Sequence, residues 1–220
     1  MMDRVLEPEL MVDPEQVRIY SEADFEEENQ GFVDRFLSSY DDLHESQVID
    51  LGCGPGDIPI RLARGHATVQ ILGIDASEPM ITIAEQAVQR AGLTERITFL
   101  CQRFQDVSLS SPADAIISNS LLHHVPNPLQ FWYAVKTLAK PGAPVLVMDL
   151  IRPDSLEDAQ AIVDQYAAEE PEQLRRDFLN SLQAAFTEDE VAAQLAELNL
   201  SRLLIDVPDD RHWIAYGRVY

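Results

Sequence analysis

The chain has 220 residues, 46% hydrophobic and 25% charged, a balance that suits a soluble globular protein with one sizeable core. Lys and Arg number 16 against 38 Asp and Glu, giving a formal charge of −22, and Lys136 and Lys140 are its only lysines. So acidic a chain repels polyanions, which argues against nucleic acid or an anionic membrane as partner and admits a neutral or cationic small molecule.

The opening stretch MMDRVLEPEL is acidic and lacks the apolar run of a signal peptide. No apolar stretch approaches the roughly 20 residues needed to span a bilayer. Cys53 and Cys101, the only cysteines, do not form a disulfide framework and lack metal-ligand spacing, so a reducing cytoplasm is expected and no metal set. Residues 1–45 hold 14 acidic and 3 basic residues and read as a helical cap.

From Gln47 onward, β-rich runs alternate with helical patterns. Strands are predicted at Gln47–Leu51, Val69–Ile74, Ile97–Cys101, Ala113–Ser118 and Pro144–Ile151. They are rich in Val, Ile and Leu without strict alternation, as strands covered on both faces should be. A helix is predicted from Glu78 to about Ala91, capped by Ser77, with Pro79 in its first turn and Gly92 after its end. Another spans Leu129–Ala139 and stops before Pro141-Gly142.

Residues 153–185 read as a helical lid insertion, with a capping pattern at Ser155–Asp158 and a break at Pro171. Thr187-Glu188-Asp189-Glu190 forms a capping box that opens the helix Glu188–Leu198. Leu203–Val207 and His212–Tyr220, joined by Pro208-Asp209-Asp210, must pair antiparallel. The fold class is therefore α/β: a three-layer, Rossmann-like arrangement with a seven-stranded, mostly parallel sheet and an antiparallel C-terminal hairpin. Residues 1–220 read as one domain, with 46–152 as a core and 186–220 as C-terminal helix and hairpin.

Residues 48–57 read VIDLGCGPGD. A glycine-rich turn after the first strand lies at the carboxyl edge of the sheet, where ligands of open α/β sheets bind. Glycine there lets the backbone approach a ligand closely. Asp75 follows Gly56 by 19 positions, close to the roughly 20 expected of an acid that holds ribose hydroxyls. The glycine string G-C-G-P-G is one residue shorter than the dinucleotide fingerprint. Asp50 and Asp57 beside it suit a pyrophosphate poorly. An adenosyl ligand without phosphate and with positive charge fits better.

Three stretches carry a resemblance. VIDLGCGPGD resembles motif I of the class I S-adenosylmethionine-dependent methyltransferases, LGIDASEPMITIAEQ the family's second motif, and DAIISNSLLHHVPNP its fourth. The similarity covers roughly Ser46–Val147. It implies methyl transfer to a small-molecule acceptor, with S-adenosyl-L-methionine as donor. It also implies that Gly52, Gly54 and Gly56 support the methionine half, with Asp50 and Cys53 in the same turn and Cys53 as a small packing residue. Asp75 would hold the ribose, and Ala76 and Met80 would flank the adenine. Asn119, or Ser118 beside it, would offer a carbonyl to the ammonium. Many members place an acid after the third strand to receive the adenine amino group. Here Arg103 stands in that place, which leaves stacking by Arg103, the side chains of Gln102 or Asp106, and the backbone amide of Phe104. An N-terminal helix closes over the donor in many members, which points to Tyr20; anchoring of the core is the other reading of that ring.

Methyl transfer from a sulfonium is an in-line displacement in which positioning can supply about 7–11 kcal/mol. A base is useful when the acceptor is a hydroxyl or carbon. His124 and His123 are the candidates, since they follow the fourth strand and titrate near neutrality. Asp149 sits at the same edge. Arg152 could fork onto a substrate carboxylate, or pair internally with Asp149 or Asp154. Tyr166, in the lid, could line the acceptor pocket. Two other functions stay open at this point: an NAD(P)-dependent oxidoreductase, and a non-catalytic protein that binds the same donor. Oligomeric state is not readable.

Overall fold

The structure, a computed structural model, describes residues 2–8 and 10–220. Seven strands form one sheet in the order β3-β2-β1-β4-β5-β7-β6. They are β1 (Gln47–Leu51), β2 (Gln70–Asp75), β3 (Ile97–Cys101), β4 (Ala115–Asn119), β5 (Pro144–Leu150), β6 (Leu204–Asp206) and β7 (His212–Arg218). The first five run parallel, with Val48 opposite both Ile71 and Ala115. β7 runs antiparallel to both β5 and β6, as the short turn requires.

The predicted strands are all present: β1 and β3 match to the residue, and the ends of the others shift by at most two residues. The central ones are fully covered: Val48, Ile49 and Leu51 are buried in β1, and all of β5 is buried. That is why their sequences lack alternation. Chain order reverses direction between β1 and β4, so the crevice at their carboxyl ends is the switch point of the sheet.

Helices cover both faces. On one side α2 (Glu26–Ser39), α3 (Asp57–Gly65) and α4 (Glu78–Ala91) pack through Phe32, Phe36, Leu62 and Val88 against Val48, Ile71 and Ile117. On the other, α5 (Pro128–Leu138) and α8 (Glu188–Glu197) pack through Phe131, Trp132, Val135, Val191 and Leu195 against Ile49, Ile116 and Trp213. Trp132 donates its indole N–H to Gln194 at 2.9 Å, which satisfies the polar edge of that buried ring.

The caps read from sequence form as expected. Ser77 accepts the amide of Met80, Gly92 ends α4 in the left-handed region at φ 68°, and Ser155 accepts from Asp158. The Thr187–Glu190 capping box closes in both directions. The lid consists of α6 (Leu156–Tyr166) and α7 (Glu172–Ala184), broken at Pro171. It rests on its own apolar cluster of Ala159, Val163, Leu182 and Ala185 with Leu150 of β5.

The N-terminal cap departs from expectation. Helix occurs at α1 (Pro14–Glu22) and α2, while residues 2–8 and 10–12 have no regular structure. This stretch is a strap laid across the carboxyl end of the sheet. Arg4 pins it, donating to the carbonyls of Ala184, His123 and Val125, with its guanidinium 3.8 Å from the Phe186 ring centroid. The Val5 amide donates to Gln183, and Ser77 Oγ donates to the Met11 carbonyl. Docking to preformed carbonyls, not periodic apolar burial, orders this segment.

Candidate functional site

The strap, the lid and the sheet edge enclose a cavity of about 300 Å³ over the β1/β4 switch point. Its floor is the turn after β1. The amides of Gly52 and Cys53 both donate to the Ile74 carbonyl, at 2.8 and 3.1 Å, which folds the turn back on β2. Gly54 lies at φ 50°, and a Cβ built there would meet nothing within 4 Å. Its backbone therefore faces open cavity space, and the conformation favours glycine.

Asp75, at the end of β2, closes this floor. Its Oδ2 accepts the Gly54 amide at 2.9 Å and its Oδ1 the Ser77 amide at 2.8 Å. A carboxylate has about four acceptor sites, so it keeps lone pairs for a diol. Burial raises its pKa despite these amide bonds. On the opposite wall Asn119 donates to Asn29 at 3.3 Å, while its own buried Oδ1 has no partner among the described residues. An acceptor left open on a cavity wall suits a donor group such as an ammonium.

Gly52, Gly54, Asp75, Ala76, Met80, Arg103, Phe104, Asn119 and Tyr20 all line the cavity. Tyr20 stacks near Phe25 with centroids 5.2 Å apart, and burial followed by the Asp75 charge pushes its phenol up to about 12. Asp50, Cys53 and Gly56 are not among the lining residues and sit beneath the turn. Asp50 is 1% exposed, its Oδ2 has no hydrogen-bond partner among the described residues, and burial followed by Asp75 pushes its pKa well up. Burial likewise pushes the Cys53 thiol up, so it remains protonated and inert, as a packing role requires. Gly56 is close to α4: a Cβ there would lie 3.0 Å from that of Ala84.

His123 and His124, in the turn after β4, line another part of the cavity. His123 is 3% exposed, its Nδ1 lies 2.5 Å from Asp149 Oδ1, and its amide donates to Asp149 Oδ2 at 3.0 Å. The Leu150 amide also donates to Asp149, so that carboxylate is held at every side and lies behind the wall. Burial alone would lower His123 and raise Asp149. Their mutual attraction outweighs it, so His123 is raised and Asp149 lowered. Burial and the neighbouring His123 lower His124 to about 3, which leaves it a neutral and weak base at physiological pH.

Glu7 from the strap completes this part. Its Oε1 lies 3.4 Å from His123 Nε2 and 3.2 Å from His124 Nδ1, and Ser181 Oγ of α7 donates to it at 3.1 Å. Burial raises its pKa in spite of His123. Nothing in the local sequence marks Glu7, because its role comes from where the strap docks. Ser120, at φ 55°, also lines the cavity and was missed; non-glycine residues in that region are uncommon.

Arg152 is a correction. It does not line the cavity. Its Nη2 donates to Glu190 at 2.7 Å and its Nη1 to the Ala185 carbonyl at 2.9 Å, so it ties β5 to α8 instead of reaching a substrate. The internal pairing foreseen for it exists, but with Glu190, which also belongs to the capping box. Tyr166 does line the cavity; its hydroxyl donates to Asp210, and the Arg211 guanidinium lies 3.7 Å from its ring centroid. Arg211 also pairs with Glu28 of α2 at 2.9 Å, joining lid, hairpin and N-terminal helix at the cavity wall.

A family described as "Methyltransferase domain" matches residues 43–197. A ubiquinone biosynthesis O-methyltransferase of Methylococcus capsulatus (strain ATCC 33009 / NCIMB 11132 / Bath) is 31% identical over 118 residues, which is 54% of this chain and 49% of that protein. A tRNA 5-carboxymethoxyuridine methyltransferase of Escherichia coli (strain K12) is 31% identical over 105 residues, 46% of this chain and 39% of that protein. The chain thus spans about half the length, or less, of these curated relatives. Among solved structures, a SAM-dependent methyltransferase from Aquifex aeolicus superposes with a TM-score of 0.66 at 18% identity, covering 96% of this chain and 100% of that one. The plantazolicin methyltransferase BpumL, solved with a monoazolic desmethylPZN analog and SAH, gives 0.67 at 14% identity, covering 93% and 85%.

Proposed function

The chain belongs to the class I S-adenosylmethionine-dependent methyltransferases, and from that premise we propose that it methylates a hydroxyl of a small-molecule acceptor. When bound, the donor supplies a methyl carbon made electrophilic by its sulfonium. The chain's own residues supply placement. Asp75 would take the ribose hydroxyls, the Gly52–Gly54 backbone and Asn119 the amino-acid end, and Ala76, Met80 and Phe104 the adenine. Asp50 lies buried beneath the glycine turn, where a cationic ligand would favour its ionised form.

The observation that carries this reading is the joined Gly54–Asp75 wall facing open cavity. It is built for a diol and a positive charge. A pyrophosphate would face the Asp75 carboxylate, and Arg61, the next basic residue along the chain, is engaged by Asp57 at 2.7 Å. The oxidoreductase alternative is disfavoured on that ground.

At the other end, Glu7 and the Asp149-oriented His123 face the site where an acceptor hydroxyl would sit. They can hold that hydroxyl and take up its proton, and Tyr166 and Phe178 of the lid would shape the space around it. The O-methyltransferase relative supports an oxygen acceptor. A nucleic-acid acceptor, raised by the tRNA-modifying relative, is opposed by the −22 charge. The test is product mass from a panel of hydroxylated small molecules incubated with S-adenosylmethionine. A gain of one methyl on oxygen supports the reading, and methylation of tRNA alone overturns the acceptor assignment.

A further inference from the structure

We propose that Glu7, His123 and His124 form a binding site for one zinc-class divalent cation, with its open position turned to the acceptor end of the cavity. The inference rests on the methyltransferase reading above and deepens it.

Its ground is geometric. One ligand atom from each of Glu7, His123 and His124 lies within 4.8 Å of the other two. Two of the separations are 3.4 and 3.2 Å. Zinc binds nitrogen and carboxylate oxygen at about 2.0–2.2 Å, so neighbouring ligand atoms of a tetrahedral site stand about 3.3–3.5 Å apart. The side chains are already spaced as edges of such a site. Two histidines and one carboxylate leave a position open, the pattern of catalytic rather than structural zinc.

The surroundings support ligation independently. His123 turns its Nδ1 to Asp149, and two backbone amides hold that carboxylate. A carboxylate behind a histidine fixes the tautomer that presents Nε2 to a metal. Ser181 supports Glu7 in the same way. The Pro8 carbonyl, 3.3 Å from His124 Nδ1, accepts from that ring nitrogen, so ligation there requires the His124 proton to move to Nε2. The strap is pinned by Arg4 before Glu7 and by Ser77 at Met11 after it, so the carboxylate arrives in place without a helix or strand to carry it.

Glu7, His123 and His124 would hold the cation, which would ease ionisation of the acceptor hydroxyl in place of His123. The hydroxyl proton passes to solvent, the freed oxygen pair forms the new bond to the methyl carbon, and the pair of the broken C–S bond stays on sulfur.

The test is cobalt titration of the full chain after chelator treatment, followed by visible absorption. The expected result is one cobalt per chain with the intense bands of a tetrahedral site, displaced by zinc. Glu7→Gln and His124→Gln should each weaken binding by about 10–100-fold. Near-UV circular dichroism and the affinity for S-adenosylhomocysteine report whether the variants keep their fold. Absent bands in the wild-type protein, or bands unaltered in both folded variants, overturn the cation site. Bands without any binding of S-adenosylhomocysteine would leave the cation site standing and overturn the donor reading instead.

Discussion

Asp75 Oδ2 accepts the backbone amide of Gly54 at 2.9 Å, so the acid at the end of β2 and the turn after β1 form one continuous wall. If that wall holds the donor's ribose, Asp75→Ala removes hydrogen bonds to a charged group, worth about 1.5–3 kcal/mol. The affinity for S-adenosylhomocysteine should then fall by about 10–100-fold in calorimetry. An unchanged dissociation constant would remove Asp75 from the site.

Two glycines separate binding from folding. A Cβ at Gly54 meets nothing within 4 Å, whereas one at Gly73 would come within 2.6 Å of Phe99 and 2.9 Å of Cys53 Sγ. Gly73→Ala should therefore destabilise the protein by about 1–3 kcal/mol through overpacking. Gly54→Ala carries only the left-handed penalty of about 1–2 kcal/mol. Yet its methyl enters the donor space and should weaken S-adenosylhomocysteine by at least about tenfold. Urea unfolding and calorimetry on both variants check the contrast. Equal binding losses in the two would contradict it.

Asp50 predicts a pH effect. Its carboxyl is buried with an unpartnered Oδ2, and burial followed by Asp75 pushes its pKa well above the ordinary range. A folded pKa above the unfolded one means its stabilising contribution is complete below the unfolded value near ~3.9 and is lost as pH rises through the folded value. Asp50→Asn should thus match the wild type at about pH 4 and melt higher at about pH 8 in ligand-free protein. The same variant should bind the cationic donor more weakly. A melting difference independent of pH would count against the buried charge.

Sequence and structure agree most where local chemistry decides the backbone. The glycine turn, Asp75 and the Ser77, Gly92 and Thr187 caps could be read because each is a short-range solution to unpaired backbone groups or unusual dihedrals. The strap could not. Residues 2–8 and 10–12 have no periodicity, and Glu7 is placed by Arg4 contacts to carbonyls 119 to 180 positions away. Arg152 was misplaced for a related reason: its partner Glu190 lies 38 positions ahead, beyond the local acids considered for it. Helix α3 lacked a sequence signal strong enough to name, since Gly56 caps it through conformation and no side chain does so.

Arg152 tests that correction. Its side chain is 3% exposed and ties β5 to α8 through Glu190. Arg152→Met should cost about 1–3 kcal/mol of stability by leaving groups unpaired. Its affinity for S-adenosylhomocysteine and its Michaelis constant for any acceptor should stay at wild-type levels. A raised Michaelis constant with unchanged stability would return Arg152 to the substrate site.

The most direct measurement is calorimetric titration of the pure chain with S-adenosylhomocysteine and, separately, with NAD. One equivalent of S-adenosylhomocysteine should bind, with affinity lost in Asp75→Ala, and NAD should give no heat. Saturable heat with NAD and none with S-adenosylhomocysteine or S-adenosylmethionine would contradict the assignment of this cavity to a phosphate-free, cationic adenosyl donor.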